Sequence, residues 1–200
     1  MLRMPLALLL QWHPEHIDDP AYRLENLVSE VIGEAKKIED KTAKPVPVIA
    51  AGGIYTGEDI YKFIQLGASG VQMATRFVTT EECDAFLGFK NTYINCRKED
   101  IGIIKSPVGM PGRAIINEFI NDVNAGIKKP YKCPYHCIIT CNRESSPYCI
   151  ALALINAKKG RMKHGFAFAG ENAYKAEKIV SVEDLINSLV EEYDSIAVLK

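Results

Sequence analysis

Two neighbouring stretches decide the fold: Pro45-Val46-Pro47-Val48-Ile49-Ala50-Ala51-Gly52-Gly53 and Gly70-Val71-Gln72-Met73-Ala74-Thr75-Arg76-Phe77. In the first, Val46, Val48, Ile49, Ala50 and Ala51 make a short, nearly continuous apolar run. Such a run suits a strand buried on both faces, as in a parallel sheet. Gly52-Gly53 stops it. Thr56 then has the character of an N-cap, with Asp59 three residues on as its capping-box partner. Ile60, Phe63 and Ile64 give the following helix one apolar face, and Gly67 closes it as a C′ glycine. Gly70 to Phe77 reads as a second strand. Thr79 or Thr80 caps another helix running through Phe86 and Phe89 toward Tyr93. Strand, helix, strand and helix with short connections indicate parallel α/β structure.

Neighbouring parallel strands bring their carboxyl ends side by side. Backbone N–H groups at Gly53 and around Ala74-Thr75 are therefore expected to converge on one anion, with help from the helix N-termini that follow. Barrels of eight β/α units use the loops after their last two strands in this way for phosphate. Glycine suits the role because a Cβ would hold the phosphate off the backbone, and Thr75 adds a hydroxyl donor. The plainer alternative is that Gly52-Gly53 only makes a tight turn. Arg76 suits a phosphate by charge, but strand alternation favours a structural ion pair for it.

Outward from this centre, Leu24, Leu27, Val28, Val31, Ile32, Ala35 and Ile38 recur at helical spacing, predicting a helix from Ala21 to about Asp40. Residues 101–113 hold Pro107 and Pro111 and read as an extended segment with turns. Helices are expected at Ile115 to Val123, at Ile150 to Lys158, and from Ser181, where Leu185, Ile186, Leu189 and Val190 form an apolar stripe. Gly165 to Ala169 is strand-like. The expected division is a barrel part over 1–125 and a mainly helical, cysteine-rich extension over 126–200.

Val48 to Ile54 followed by Gly67 to Phe77 resembles the nitronate monooxygenase family, formerly called 2-nitropropane dioxygenases. The FMN-dependent enoyl-ACP reductases are similar in the same motifs. The resemblance covers most of residues 15–125 and is strongest over 45–77. It implies the C-terminal part of an FMN-binding (β/α)₈ TIM barrel, with Gly52, Gly53, Gln72, Met73, Ala74 and Thr75 around the FMN phosphate. It also implies an oxidoreductase that oxidises alkyl nitronates with oxygen, or else reduces flavin or an enoyl thioester with NAD(P)H. The family usually carries glycine where this chain has Ala74.

A second departure concerns proton transfer. The family's glycine-glycine-histidine segment is expected at Leu8-Leu9-Leu10, and leucine has no proton to exchange. His13 lies a loop away from that place, and His16 is a weaker substitute. A (β/α)₈ barrel typically needs about 250 residues, whereas this chain has 200. The expectation is a truncated enzyme without its first half-barrel and catalytic base, with a frameshifted or misassigned start as one explanation. An open half-barrel exposes strand edges, so self-association is expected.

Cys133, Cys137, Cys141 and Cys149 follow the spacing C-x₃-C-x₃-C-x₇-C, with His136 among them. Four thiolates in one loop suit an iron–sulfur cluster or zinc. Unligated thiols in a reducing compartment are the alternative. A non-catalytic fragment or small metal-binding module is accordingly the second functional reading.

Composition sets the outer limits. Hydrophobic residues are 48% and charged residues 24% of the chain, as in ordinary globular domains, which excludes disorder. Lys+Arg number 24 against 25 Asp+Glu, a net charge of -1, so no global field attracts nucleic acid or anionic lipid. The apolar run Pro5 to Leu10 is far short of the roughly 20 residues a bilayer requires. A cytoplasmic protein with a small-molecule substrate is expected.

Overall fold

The computed structural model describes residues 19–109, 111–127, 129, 133, 136, 137, 139, 141, 142 and 144–198. The chain forms two compact units. One runs to Met73 and resumes at Glu183; the other is Ala74–Val182. The expected boundary at 125/126 falls inside the second unit.

In the first unit, Asp19 caps a 3-10 turn at Pro20–Tyr22, and helix α1 follows at Leu24–Thr42. Its buried residues are Val28, Ile32 and Ala35, one stripe of the expected apolar face, while Ile38 is exposed. Strand β1 is Ile49–Ala51, helix α2 is Gly57–Gln65 and strand β2 is Gly70–Gln72. The strands are parallel, with Ile49 opposite Gly70, Ala50 opposite Val71 and Ala51 opposite Gln72. Ala50 lies in a core with Val28, Ile32, Ile54, Phe63 and Ala68. The expected burial of β1 on both faces does not hold: Ile49 is 54% exposed, because α1 and α2 cover one face of the pair.

The expected second strand is shorter than its apolar pattern. It ends at Gln72, and helix α3 occupies Thr75–Val78. The Phe77 N–H closes a turn onto the Ala74 carbonyl at 3.0 Å. Neither Thr79 nor Thr80 caps the next helix. Thr80 instead bridges to Val180, and its hydroxyl donates to the Phe77 carbonyl. Helix α4 starts later, at Leu87–Ile94.

The rest of the second unit holds strands β3 (Ile101–Ile104) and β4 (Gly112–Ile115), helices α5 (Glu118–Asn124) and α6 (Ile150–Lys158), and strand β5 (Ala167–Phe168). The three strands form an antiparallel sheet in the order β3-β4-β5. Ile115 is therefore a strand residue, opposite Ile101 and Ala167, and not the helix start expected for it. The helix begins at Glu118 because the Asn117 side chain accepts the Ile120 N–H at 3.1 Å.

Helix α7 is Val182–Val198. Leu185 and Leu189 are buried, but Ile186 and Val190 are about half exposed, so half of the expected stripe points outward. Among the described residues the sheets are one parallel pair and one antiparallel trio, and no barrel closes. No helix among them is long and apolar enough to cross a membrane.

Candidate functional site

Gly52-Gly53 directly follows Ala51, which pairs with Gln72 at the end of β2. Gly52 has φ 108° and Gly53 φ 70°, a backbone region that costs residues with a Cβ about 1–2 kcal/mol. Both glycines are exposed, and a Cβ built on either would meet no atom within 4 Å. The glycines are thus required by conformation, and the space above them is open to a ligand. Gln72 is exposed, whereas Met73 packs against the core of this unit.

One expected contribution is missing. The first turn of α2 was expected to lend positive charge, but the protein's own acids already occupy it. The Asp59 carboxylate accepts the N–H groups of Tyr55 and Thr56 at 2.8 and 3.0 Å, completing the capping box. The Glu192 carboxylate accepts the Gly57 N–H at 2.7 Å. An external anion at this turn must therefore rely on the glycine peptides and the β2 end. The role of Glu192 left no short-range signal, since it stands far along the chain on α7.

Ala74 and Thr75 carry the chain into the second unit. Ala74 caps α3 with φ -122° and ψ -52°, so the departure from glycine costs no backbone strain. The Thr75 hydroxyl accepts the Gly170 N–H at 2.9 Å and retains its own proton for another acceptor. Arg76 is half-buried in α3.

A groove of about 410 Å³ in the second unit is lined by Phe77, Val78, Thr80, Cys83, Asp84 and Val182. Its acids have partners. Glu82 accepts the Val182 N–H at 2.9 Å, and Asp84 pairs with Lys158 at 2.6 Å. The Lys158 hydrogen bond and charge hold the Asp84 carboxyl below its ordinary range.

The four clustered cysteines are not brought together. Cys137 is exposed, Cys133 and Cys141 are half-buried, and Cys149 is buried at the start of α6. The Cys141 sulfur lies 3.8 Å from the Ser146 hydroxyl. Among the described residues no group of three or more His, Cys, Asp or Glu gathers to hold a metal ion. Cys96 is buried, and its thiol is pushed up to about 11 by desolvation, with the Asp100 and Glu99 charges adding to it. Leu8, Leu9, Leu10, His13 and His16 lie outside the described residues.

A family model for nitronate monooxygenase matches residues 14–192. The chain belongs to the nitronate monooxygenase family. The match runs past residue 125 and takes in the four clustered cysteines. A probable nitronate monooxygenase of Staphylococcus saprophyticus is 39% identical over 79 residues, which is 40% of this chain and 22% of that protein. One from Staphylococcus aureus is 40% identical over 79 residues, with the same coverage. Among solved structures, FabK from Thermotoga maritima matches with a TM-score of 0.66 at 23% identity, over 87% of this chain and 50% of that one. A nitroalkane oxidase from Streptomyces ansochromogenes matches with a TM-score of 0.63 at 22% identity, over 88% of this chain and 45% of that one. The structural likeness is one of fold. The matched region spans about a fifth of the curated relatives and about half of the solved chains. In this nitronate monooxygenase family member, the β1 and β2 ends are the place where the exposed glycine turn and the sequence motifs coincide.

Proposed function

We propose that the chain serves an FMN-dependent oxidoreductase of the nitronate monooxygenase type, with Gly52, Gly53, Gln72, Met73, Ala74 and Thr75 holding the FMN phosphate. The observation that carries this reading is the exposed, positive-φ glycine pair set in register beside the end of β2. When bound, FMN would supply the electron-transfer chemistry for oxidation of an alkyl nitronate with oxygen.

This chain's own residues contribute binding and orientation. The exposed Gln72 side-chain amide offers a neutral donor to a dianion, and the glycine turn lets it approach the backbone. The Thr75 hydroxyl, held by Gly170, keeps a proton to give. Proton abstraction is not assigned to a residue: Leu8-Leu9-Leu10 cannot exchange a proton, and both described histidines, His136 and His164, are exposed in the second unit.

The test is titration of the purified chain with FMN and with riboflavin, which lacks the phosphate. FMN should bind at least tenfold more tightly, a difference worth about 1.4 kcal/mol, and Gly53→Val should remove most of it. Equal affinity for the two flavins, or none for either, overturns the reading.

A further inference from the structure

We propose that Glu192 is a positioning residue for the phosphate turn, fixing Gly52-Gly53 through the Gly57 amide; this rests on the phosphate site proposed above. The turn between β1 and α2 is pinned at three places. Its start is held by the β1–β2 ladder, and its middle by the burial of Ile54 and Tyr55, which are 7% and 4% exposed. Its end at Gly57 is held by the Glu192 carboxylate at 2.7 Å, reaching across from α7.

Residue 57 is a glycine because α7 comes so close. A Cβ there would lie 2.3 Å from the Leu189 carbonyl and 2.5 Å from the Tyr193 nitrogen. The Tyr61 and Tyr193 rings meet edge-on beside it, with centroids 5.4 Å apart. The contact is thus a fitted joint between two helices, with the carboxylate bond as a polar element of it. Glu192 has a second consequence. It places a negative charge on the first turn of α2, alongside that of Asp59, where the helix dipole would otherwise attract an anion. An incoming phosphate is left with the glycine peptides and the end of β2. Glu192 therefore fixes both where the turn sits and where the phosphate goes, without touching the flavin.

The experiment measures two quantities on the full chain for wild type, Glu192→Ala, Glu192→Gln and the control Glu191→Ala. Hydrogen exchange is followed over residues 52–57, and FMN and riboflavin affinities are titrated. Loss of a charge-assisted hydrogen bond should speed exchange in the turn by about tenfold in Glu192→Ala. FMN should weaken by about tenfold with riboflavin unchanged, and Glu192→Gln, which keeps an acceptor oxygen, should recover most of both. If Glu192→Ala does not fold, Glu192→Asp, which draws the carboxylate back by one methylene, should give the same turn-restricted exchange. Unchanged exchange over 52–56 in a folded Ala or Asp variant overturns the proposal, as does an FMN loss matched by riboflavin. Failure of the wild type to bind FMN sinks the phosphate site alone, because the exchange measurement still decides whether Glu192 sets the turn.

Discussion

The Tyr93 hydroxyl donates to the main-chain carbonyl of Phe168 at 2.5 Å, tying α4 to β5 within the second unit. Tyr93 is 2% exposed, so nothing else can replace this donor cheaply. Tyr93→Phe keeps the ring but leaves the carbonyl short of a partner. The expected cost is about 1–2 kcal/mol, read as a lower urea midpoint with an unchanged slope.

Tyr148 offers the reverse case. It is equally buried, yet its hydroxyl has no hydrogen-bond partner among the described residues. Its ring packs edge-on against Phe119 and Phe166, with centroids at 5.1 and 5.9 Å. Tyr148→Phe keeps that packing and removes an unsatisfied group. Stability should hold or rise by up to about 1 kcal/mol in the same urea measurement, so only Tyr93→Phe of the two Tyr→Phe variants should lower the midpoint.

The sequence was most legible where a signal is local. Thr56 and Asp59 form the expected capping box, α6 occupies Ile150–Lys158 as expected, and the glycine turn sits between two parallel strands. It was least legible where a distant partner decides. Thr80 was expected to cap a helix, but it pairs with Val180 instead. Ile115 fits a helical apolar face equally well, yet it sits in a ladder between β3 and β5. The β1 pattern promised burial on both faces because apolarity alone does not count how many layers cover a sheet. In the candidate site, the glycines and the β2 end were visible as motif. Glu192 was not, because a glutamate in the middle of an amphipathic helix carries no mark of the amide it binds.

Alkaline pH should destabilise the second unit. Burial pushes the Tyr148 phenol from 10.0 to about 12 and raises Tyr93 as well, and it pushes the Cys96 thiol from 9.0 to about 11. In each case the folded state holds its proton longer than the unfolded state. The stabilisation is fully present below pH 9 and is lost as pH rises toward 11–12, because the folded protein then binds more protons than the unfolded one. The urea midpoint should therefore fall as pH rises from 9 toward 11–12, the window set by those values. Tyr148→Phe should flatten the fall, and a midpoint constant across that window contradicts the assignment.

Two glycine-to-alanine changes separate helix propensity from packing. Gly33 lies in α1, exposed, and a Cβ there meets no atom within 4 Å. Gly57 opens α2, buried, and a Cβ there meets the Leu189 carbonyl at 2.3 Å and the Glu192 Cβ at 2.6 Å. Propensity alone favours alanine at both, by about 0.5–1 kcal/mol in a helix interior. Gly33→Ala should realise that gain, because nothing opposes it. At Gly57 the two nearest obstructing atoms, the Leu189 carbonyl and the Tyr193 nitrogen, are backbone, and no rotamer moves the Glu192 Cβ, so no rotamer change relieves the clash. Helix α7 must move away, loosening the burial of Leu185 and Leu189 and the bond from Gly57 to Glu192. A cost of about 2–4 kcal/mol is expected, the range of overpacking plus a lost buried hydrogen bond. Thermal melts of the two variants should shift in opposite directions. A Gly57→Ala melt at or above wild type would mean that α7 does not sit against residue 57 in solution, and the joint through Glu192 would fall with it.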